Sequence, residues 1–462
     1  MTTLYVGPGG SDANNGLSWA NRRLTLNGIE DKPVVAGDIV YVGPGVYRET
    51  LTVDVAGSSG SPITYIGDVT GEHTDGVGGI VRITGSNNDQ STVRGNCINL
   101  PNARSFRTFR GFQFDGNSGH HINLQPSSNN LIVEDCIFLP CSTGSSACVN
   151  LQGTGTGHII RRCFMMNPGP GILATHTATV NDTGMLWENC VAIIGGVAYA
   201  FRSDRVGGIM VKNCTILAAE VGVRVSTALA AGQTMQVYNC VISGCNQALV
   251  ATTLGELVED FNNVFGNNNS RVNVNTGANS VSYPVLFDVP FLNIGHYFGS
   301  FLATPSKWSQ TAKKAGTGES SDDLYGMARP STSSKKSWGA VQGNQAVRET
   351  TIVDGGSGAS LKLPDAGEQF FMRIPITSTS TTISLKVYRE ANYAGTNPQM
   401  IIRQPGQTDR TTTDAGVSGQ WNTLSDTFTP AALPQYVDVF VKSNNTATSG
   451  SFNTFWDTLS VS

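Results

Sequence analysis

The sequence predicts an all-β fold in two parts, a parallel β-solenoid followed by an antiparallel β-sandwich. Three observations carry this. A short phrase returns between Gly111 and Asn263, glycine is abundant (53 of 462 residues) while only 14% of residues are charged, and near Ala346 the repeat gives way to short strands separated by Pro, Gly and Ser clusters.

The opening residues Tyr5-Val6-Gly7-Pro8-Gly9-Gly10-Ser11-Asp12 and Asn15-Gly16-Leu17-Ser18-Trp19-Ala20 predict a first strand, a turn and a short helix reaching about Asp31. Leu24, Leu26 and Ile29 are expected to pack on the first rung, because a solenoid with an uncapped apolar end would aggregate. Strands follow at Gly37-Asp38-Ile39-Val40-Tyr41-Val42 and Pro44-Gly45-Val46-Tyr47-Arg48-Glu49, then at residues 62–68 and 80–85. The last two bracket a loop, 69–79, in which Glu72, His73 and Asp75 read as a solvated turn. One histidine without a visible partner does not make a metal site, so the loop receives no role.

The repeat reads Arg110-Gly111-Phe112, Asp135-Cys136-Ile137, Arg162-Cys163-Phe164, Asn189-Cys190-Val191, Asn213-Cys214-Thr215, Asn239-Cys240-Val241 and Asn262-Asn263-Val264. Its central residues are 25, 27, 27, 24, 26 and 23 apart, a spacing natural to coils whose turns vary while their strands stay in register. Equivalent side chains then stack in columns about 4.8 Å apart, and an inward column must be small and apolar, which suits a thiol. The polar residue before each cysteine marks a corner. Roughly 12 coils of this rise are expected. Nine cysteines, five at the same place in successive rungs, point to buried thiols rather than a disulfide framework.

A second strand per rung follows at Ile122-Asn123-Leu124-Gln125, Val149-Asn150-Leu151-Gln152, Ile172-Leu173-Ala174-Thr175, Tyr199-Ala200-Phe201-Arg202 and Val223-Arg224-Val225-Ser226. Period-two alternation sends Asn123, Gln125, Asn150, Gln152, Thr175, Arg202, Arg224 and Ser226 outward, as a polar stripe several rungs long and a candidate ligand-binding face. The densest chemistry is Arg202-Ser203-Asp204-Arg205 with His176 one rung earlier. Arg202 could grip a carboxylate, His176 act as general acid or base and Asp204 orient it. The plainer reading, a solvated turn whose Asp and Arg pair locally, is preferred. Asp182 and Asp204 are the carboxylates that a glycoside hydrolase would need about 5 to 9.5 Å apart.

The opening segment closely resembles that of right-handed parallel β-helix proteins of the pectate-lyase-like superfold. Asp323-Leu324-Tyr325-Gly326-Met327-Ala328-Arg329-Pro330 with Trp338-Gly339-Ala340-Val341-Gln342 resembles the closing motif of many of them, with Trp338 and Gln342 in place of the commoner acidic-Ile and Glu. Short strands are expected beyond it at 369–376, 382–389, 399–403, 422–429, 436–442 and 452–460. There, residues 419–430 and 455–461 resemble a jelly-roll of the carbohydrate-binding-module type. Trp421 is a candidate sugar-stacking residue, Trp456 reads as core, and the resemblance implies a structural Ca²⁺ at Asp457 as the single cofactor. The implied organisation is a capping segment and first coils over 1–60, coils over 61–305, a closing segment and linker over 306–345, and the sandwich over 346–462.

The net charge of −4 gives no reason to expect nucleic acid as a partner, and no apolar run is long enough for membrane insertion. Met1-Thr2-Thr3 leads into Leu4-Tyr5-Val6 without a basic and then apolar leader, so synthesis in a cytosol is expected. Taken together, these features resemble a bacteriophage virion protein: a tailspike, fibre or capsid-attached spike. That resemblance implies a structural and adhesive role, glycans and other virion proteins as partners, and a homotrimer. The alternative is a polysaccharide lyase or glycoside hydrolase acting along the stripe, and a secreted, extracellular adhesin is a third reading.

Overall fold

The computed structural model describes residues 1–282 and 347–462 apart from 32–33, 88–93, 141–146, 153–154, 167–170, 176–184, 194–198, 205–206, 350–353, 355–359, 364–368, 377, 392, 394–396, 405–406, 431–434 and 443–453. The chain divides near residue 343 into two compact units. The described part of the first is a parallel β-solenoid. One sheet of ten strands runs from Thr3–Val6 to Leu257–Asp260, a second of nine from Gly45–Tyr47 to Asn263–Phe265, and a third of nine from Leu51–Thr52 to Asn269–Val272. Each coil contributes one strand to each sheet, so the described residues build nine coils against the roughly 12 expected. The closing motif and residues 307–323 lie outside the described residues.

The cysteine phrase sits where the first sheet turns into the second. Cys136, Cys163, Cys190, Cys214 and Cys240 are all fully buried, and their thiols donate to backbone carbonyls, as Cys190 does to Glu188 O at 3.4 Å. Eight cysteines are described, and all are free and buried. The residue before each member of the column is left-handed: Asp135, Arg162, Asn189, Asn213 and Asn239 have φ between 51° and 56°. A left-handed residue reverses the local course of the chain, and Asn and Asp tolerate it best among residues with a side chain.

At both ends the phrase is one residue out of step with the column. Strand pairing matches Ile137 to Gln113 and Val241 to Asn263, which places Phe112 and Asn262 in the thiol column. The corners there are Gly111 (φ 77°) and Phe261 (φ 54°). Asn262 is buried, and its Oδ1 accepts from Cys240 N at 2.8 Å while its Nδ2 donates to Val237 O at 2.8 Å. An amide can therefore hold a place in an apolar column when the backbone satisfies it.

The apolar end of the solenoid is closed by the short helix Leu26–Glu30, capped by Thr25 Oγ1 accepting from Gly28 N. Leu26 and Ile29 are buried as expected, but Leu24 is 45% exposed, because it precedes the helix and lies outside the plug. Gly7 and Gly43 make room for the Trp19 ring, which a Cβ at either position would strike at 2.2 and 2.3 Å. Beneath the plug lies an ion pair with no solvent contact: Arg107 Nη1 is 2.8 Å from Glu30 Oε1, which also accepts from Tyr65 Oη at 2.5 Å.

The second unit is antiparallel throughout. A five-stranded sheet (Val347–Glu349, Ser360–Leu363, Thr454–Val461, Thr381–Arg389, Trp421–Phe428) faces a four-stranded one (Gln369–Ile376, Gln435–Lys442, Gln399–Arg403, Arg410–Thr413). Both contribute to one core, with Ile383, Val387 and Trp456 from the first and Ile374, Met400 and Val439 from the second, which makes a β-sandwich. Three of these strands, Val347–Glu349, Ser360–Leu363 and Arg410–Thr413, were not anticipated from the sequence. All three are short, and Arg410–Thr413 shows no buried residue to betray a sheet.

Candidate functional site on the third sheet

The outward stripe predicted on the second strand of each rung belongs to the third sheet, and its two ends differ. Asn99, Asn123 and Asn150 occupy one register column on consecutive strands. Asn150 Nδ2 donates to Asn123 Oδ1 at 2.8 Å, and Asn123 Nδ2 donates to Asn99 Oδ1 at 3.3 Å. Asn123 and Asn150 are only 8% and 2% exposed, so the expectation of an open polar face is corrected at these positions. Stacked amides satisfy one another along the axis, and the polarity that marks them as surface residues is spent inside the ladder. Gln125 and Gln152 are half-buried beside it, with Gln152 Nε2 3.5 Å from Asn123 Oδ1.

Further along, the strands Tyr199–Asp204 and Val221–Thr227 bring Arg202 and Arg224 into register. Their column neighbours are Leu173 on one side and Val250 on the other. Both guanidinium groups sit over the Tyr199 ring, 5.2 and 5.1 Å from its centre, and Arg224 Nη1 donates to Tyr199 Oη at 2.9 Å. Two register irregularities flank the pair. Ala200 is the extra residue between the pairings Gly171 with Tyr199 and Ile172 with Phe201, and Ser226 the extra one between Ser203 with Val225 and Asp204 with Thr227. Bulges of this kind re-aim side chains, and here one carries Tyr199 and Arg202 to the same side.

Asp204 pairs locally with Arg202 (Nη2 to Oδ2, 2.8 Å) as expected, but the two lie within the strand Tyr199–Asp204 and not in a solvated turn. That leaves two guanidinium groups to one carboxylate. Arg224 Nε is buried and has no hydrogen-bond partner among the described residues. His176, Asp182 and Arg205 lie outside the described residues, as does the side chain of Thr175. Ser226 is half-buried. Among the described residues no group of three or more His, Cys, Asp or Glu side chains could hold a metal ion.

The first sheet manages charge differently. Its column Arg110, Glu134, Arg161, Glu188, Lys212 alternates in sign from rung to rung. Arg161 lies 2.6 Å from Glu134, and Lys212 lies 2.8 Å from Glu188. In a parallel in-register stack each side chain meets its equivalent on the next coil, so alternation of sign is what a self-neutralised column requires. Asp135, at the adjoining corner, is held by Arg110 on one side (3.0 Å) and Arg162 on the other (2.7 Å).

One further feature was not legible in sequence. The loop after the strand Ile63–Gly67 is tied down by the buried Asp68, whose carboxylate accepts from Thr70 Oγ1, His73 N and Thr74 Oγ1 at 2.8–2.9 Å. The loop forms one wall of a cavity of about 450 Å³ where the first sheet turns into the second. His73 lies flat against Tyr41, with ring centres 4.0 Å apart.

In the sandwich, Trp421 is half-buried and packs at 51° against Tyr388, 5.6 Å between centres. Asp457 accepts from Asp354 N at 3.0 Å and Thr458 N at 2.7 Å. The neighbouring Asp354 carboxylate is 2.8 Å from Lys386 Nζ, so an ammonium group supplies positive charge beside Asp457.

Fold and face define a parallel β-solenoid with two stacked arginines on its third sheet, followed in the chain by a β-sandwich. No family model matches the sequence. The uncharacterized protein YwoF of Bacillus subtilis (strain 168) is 40% identical over 62 residues, and the matched part spans 13% of the length of each chain. Among solved structures, a rhamnogalacturonan lyase is similar at TM-score 0.45 and 18% identity, covering 58% of this chain and 74% of that one. The pectate lyase Pel9A is similar at 0.39 and 13%, over 74% and 97%. The enzymatically active domain of bacteriophage CBA120 tailspike protein 4 is similar at 0.23 and 10%, over 94% and 65%.

Proposed function

We propose that this chain is a virion structural and adhesive protein whose solenoid binds an acidic glycan on the third sheet, at Arg202, Tyr199 and Arg224. The observation that carries the reading is the stacking of two like charges. Where this solenoid stacks charged residues along the first sheet, signs alternate; at Arg202 and Arg224 they do not. Two guanidinium groups on adjacent strands, with one carboxylate between them, favour a ligand that brings the missing negative charge, and the planar fork of arginine suits a carboxylate or sulfate. The Tyr199 ring holds both forks in place and cuts the entropy lost on binding.

The virion placement and a homotrimeric assembly rest on the resemblance of a β-helix with buried thiols and a terminal sandwich to bacteriophage tailspikes, and light scattering on the purified chain tests the trimer. Binding is tested by calorimetry against a panel of uronate-containing, sialylated and neutral polysaccharides. The reading expects binding of the acidic members that weakens with salt and falls at least tenfold in Arg202→Ala and Arg224→Ala, two substitutions that leave any binding of the neutral members unchanged. Appearance of new reducing ends or unsaturated uronates, abolished by Asp204→Ala or Arg202→Ala, would establish the degrading enzyme instead.

A further inference from the structure

We infer a second carbohydrate site in the first coils, a cleft that takes a single neutral pyranose unit. It lies where the first sheet turns into the second, under the loop anchored by Asp68, and it does not depend on the Arg202–Arg224 face. The cavity, about 450 Å³, falls within the roughly 300–1,000 Å³ of small-ligand sites. Its lining is mostly apolar, with Ile66 and Ile137 among the contributors, and the stacked rings of Tyr41 and His73 form part of it. Arg110 and Gln113 also line it. A pyranose has the matching chemistry: one face of C–H groups to lie on apolar and aromatic surface, and a rim of hydroxyls to meet an amide and a guanidinium.

The charge balance selects a neutral sugar. Arg110 is half-exposed but already paired with Asp135, which Arg162 also holds. Glu72 stands on the opposite, loop side, its carboxylate 3.9 Å from His73 Nε2. An acidic sugar would meet three carboxylates, those of Glu72, Asp135 and the loop-anchoring Asp68, and a guanidinium already engaged, whereas hydroxyls can donate to the carboxylates and accept from Arg110. The walls are preformed: the Asp68 hydrogen bonds hold the loop from within. A Cβ at Gly67 would meet Gly111 O at 2.5 Å, so the floor needs glycine for the two coils to close up.

The test is saturation-transfer NMR and calorimetry on the intact chain with neutral monosaccharides (glucose, galactose, rhamnose, N-acetylglucosamine, N-acetylgalactosamine), followed by a crystal soak with the best of them. The expected result is saturable binding of at least one, weakened about tenfold by His73→Ala and by Arg110→Gln and unchanged by Arg224→Ala. Both substituted side chains are about half exposed, and thermal melts matching the parent chain would show that the variants fold. Absence of binding by every neutral sugar, or binding that survives both substitutions, overturns the proposal. Loss with Arg224→Ala alone would assign the sugar to the third sheet and overturn it equally. Because acidic polysaccharides are read separately through Arg224, failure of one site leaves the result for the other intact.

Discussion

Arg202 and Arg224 stand in register on adjacent strands and share the ring of Tyr199, with centres of charge 5.2 and 5.1 Å from it. Tyr199 is therefore expected to act as a platform rather than a contact. Tyr199→Phe keeps the ring and loses only the Oη bond to Arg224, so acidic-glycan affinity should change less than about threefold. Tyr199→Ala frees both guanidinium groups and should weaken binding by roughly tenfold or more. Calorimetry on the two variants checks the difference, and equal losses would remove the ring from the account.

The His121 imidazole is fully buried beside the stacked rings of Phe114 and Phe138, and burial lowers its pKa to about 4 from 6.5. Between those values the unfolded chain binds a proton that the folded chain does not. Stability is therefore complete above about pH 6.5 and is lost as pH falls toward 4, by ~3 kcal/mol for this group. Burial moves His120 in the same direction. Urea unfolding of the chain and of His121→Gln at pH 7 and pH 4.5 should show a shallower pH dependence in the variant; parallel curves would contradict this.

The thiols of the column are expected to be inert while the chain is folded. Burial raises Cys163 and Cys214 well above the ordinary thiol range, and it pushes Cys245, outside the column, up to about 11. The eight described cysteines should resist a thiol reagent at pH 8 and react at the rate of unfolding. Mass spectrometry of the labelled native chain reads the outcome, and rapid labelling at Cys190 or Cys214 would show that the column is open.

Arg107 and Glu30 close the solenoid without contact to water, so removing one partner leaves a buried charge. Arg107→Leu should destabilise the first unit by about 3–5 kcal/mol, and adding Glu30→Gln should restore much of the loss. Denaturant titration of both variants checks this; a double variant as unstable as the single one would point to Arg107 packing, which includes its bond to Val55 O, rather than to charge.

Much of the architecture is written in the repeat because a parallel coil places like beside like. The cysteine phrase, the left-handed residue before it and the alternation of the flanking strands all express one register. The phrase slips at Phe112 and Asn262 because Gly111 and Phe261 turn the corner there without a polar marker. Asn123 and Asn150 look like surface residues by alternation, yet they form a buried ladder whose partners are 24 and 27 residues away. The cleft beneath the loop was invisible for a similar reason. His73, Tyr41 and Arg110 meet only through a loop and two strands of different coils, and nothing in a run of Gly, Asp and Glu announces that Asp68 will fold the loop over them. Arg202 and Asp204 were legible as a pair, while the partnership of Arg202 with Arg224 needed the register of the third sheet.

The most direct measurement is a crystal structure of the chain soaked with an oligosaccharide fragment of a polysaccharide it binds, one carrying uronate groups. The account predicts a ligand carboxylate within hydrogen-bonding distance of both the Arg202 and Arg224 guanidinium groups, with the sugar chain intact. An oligosaccharide bound elsewhere while these two arginines stay bare, or one found cleaved beside Asp204, would contradict it.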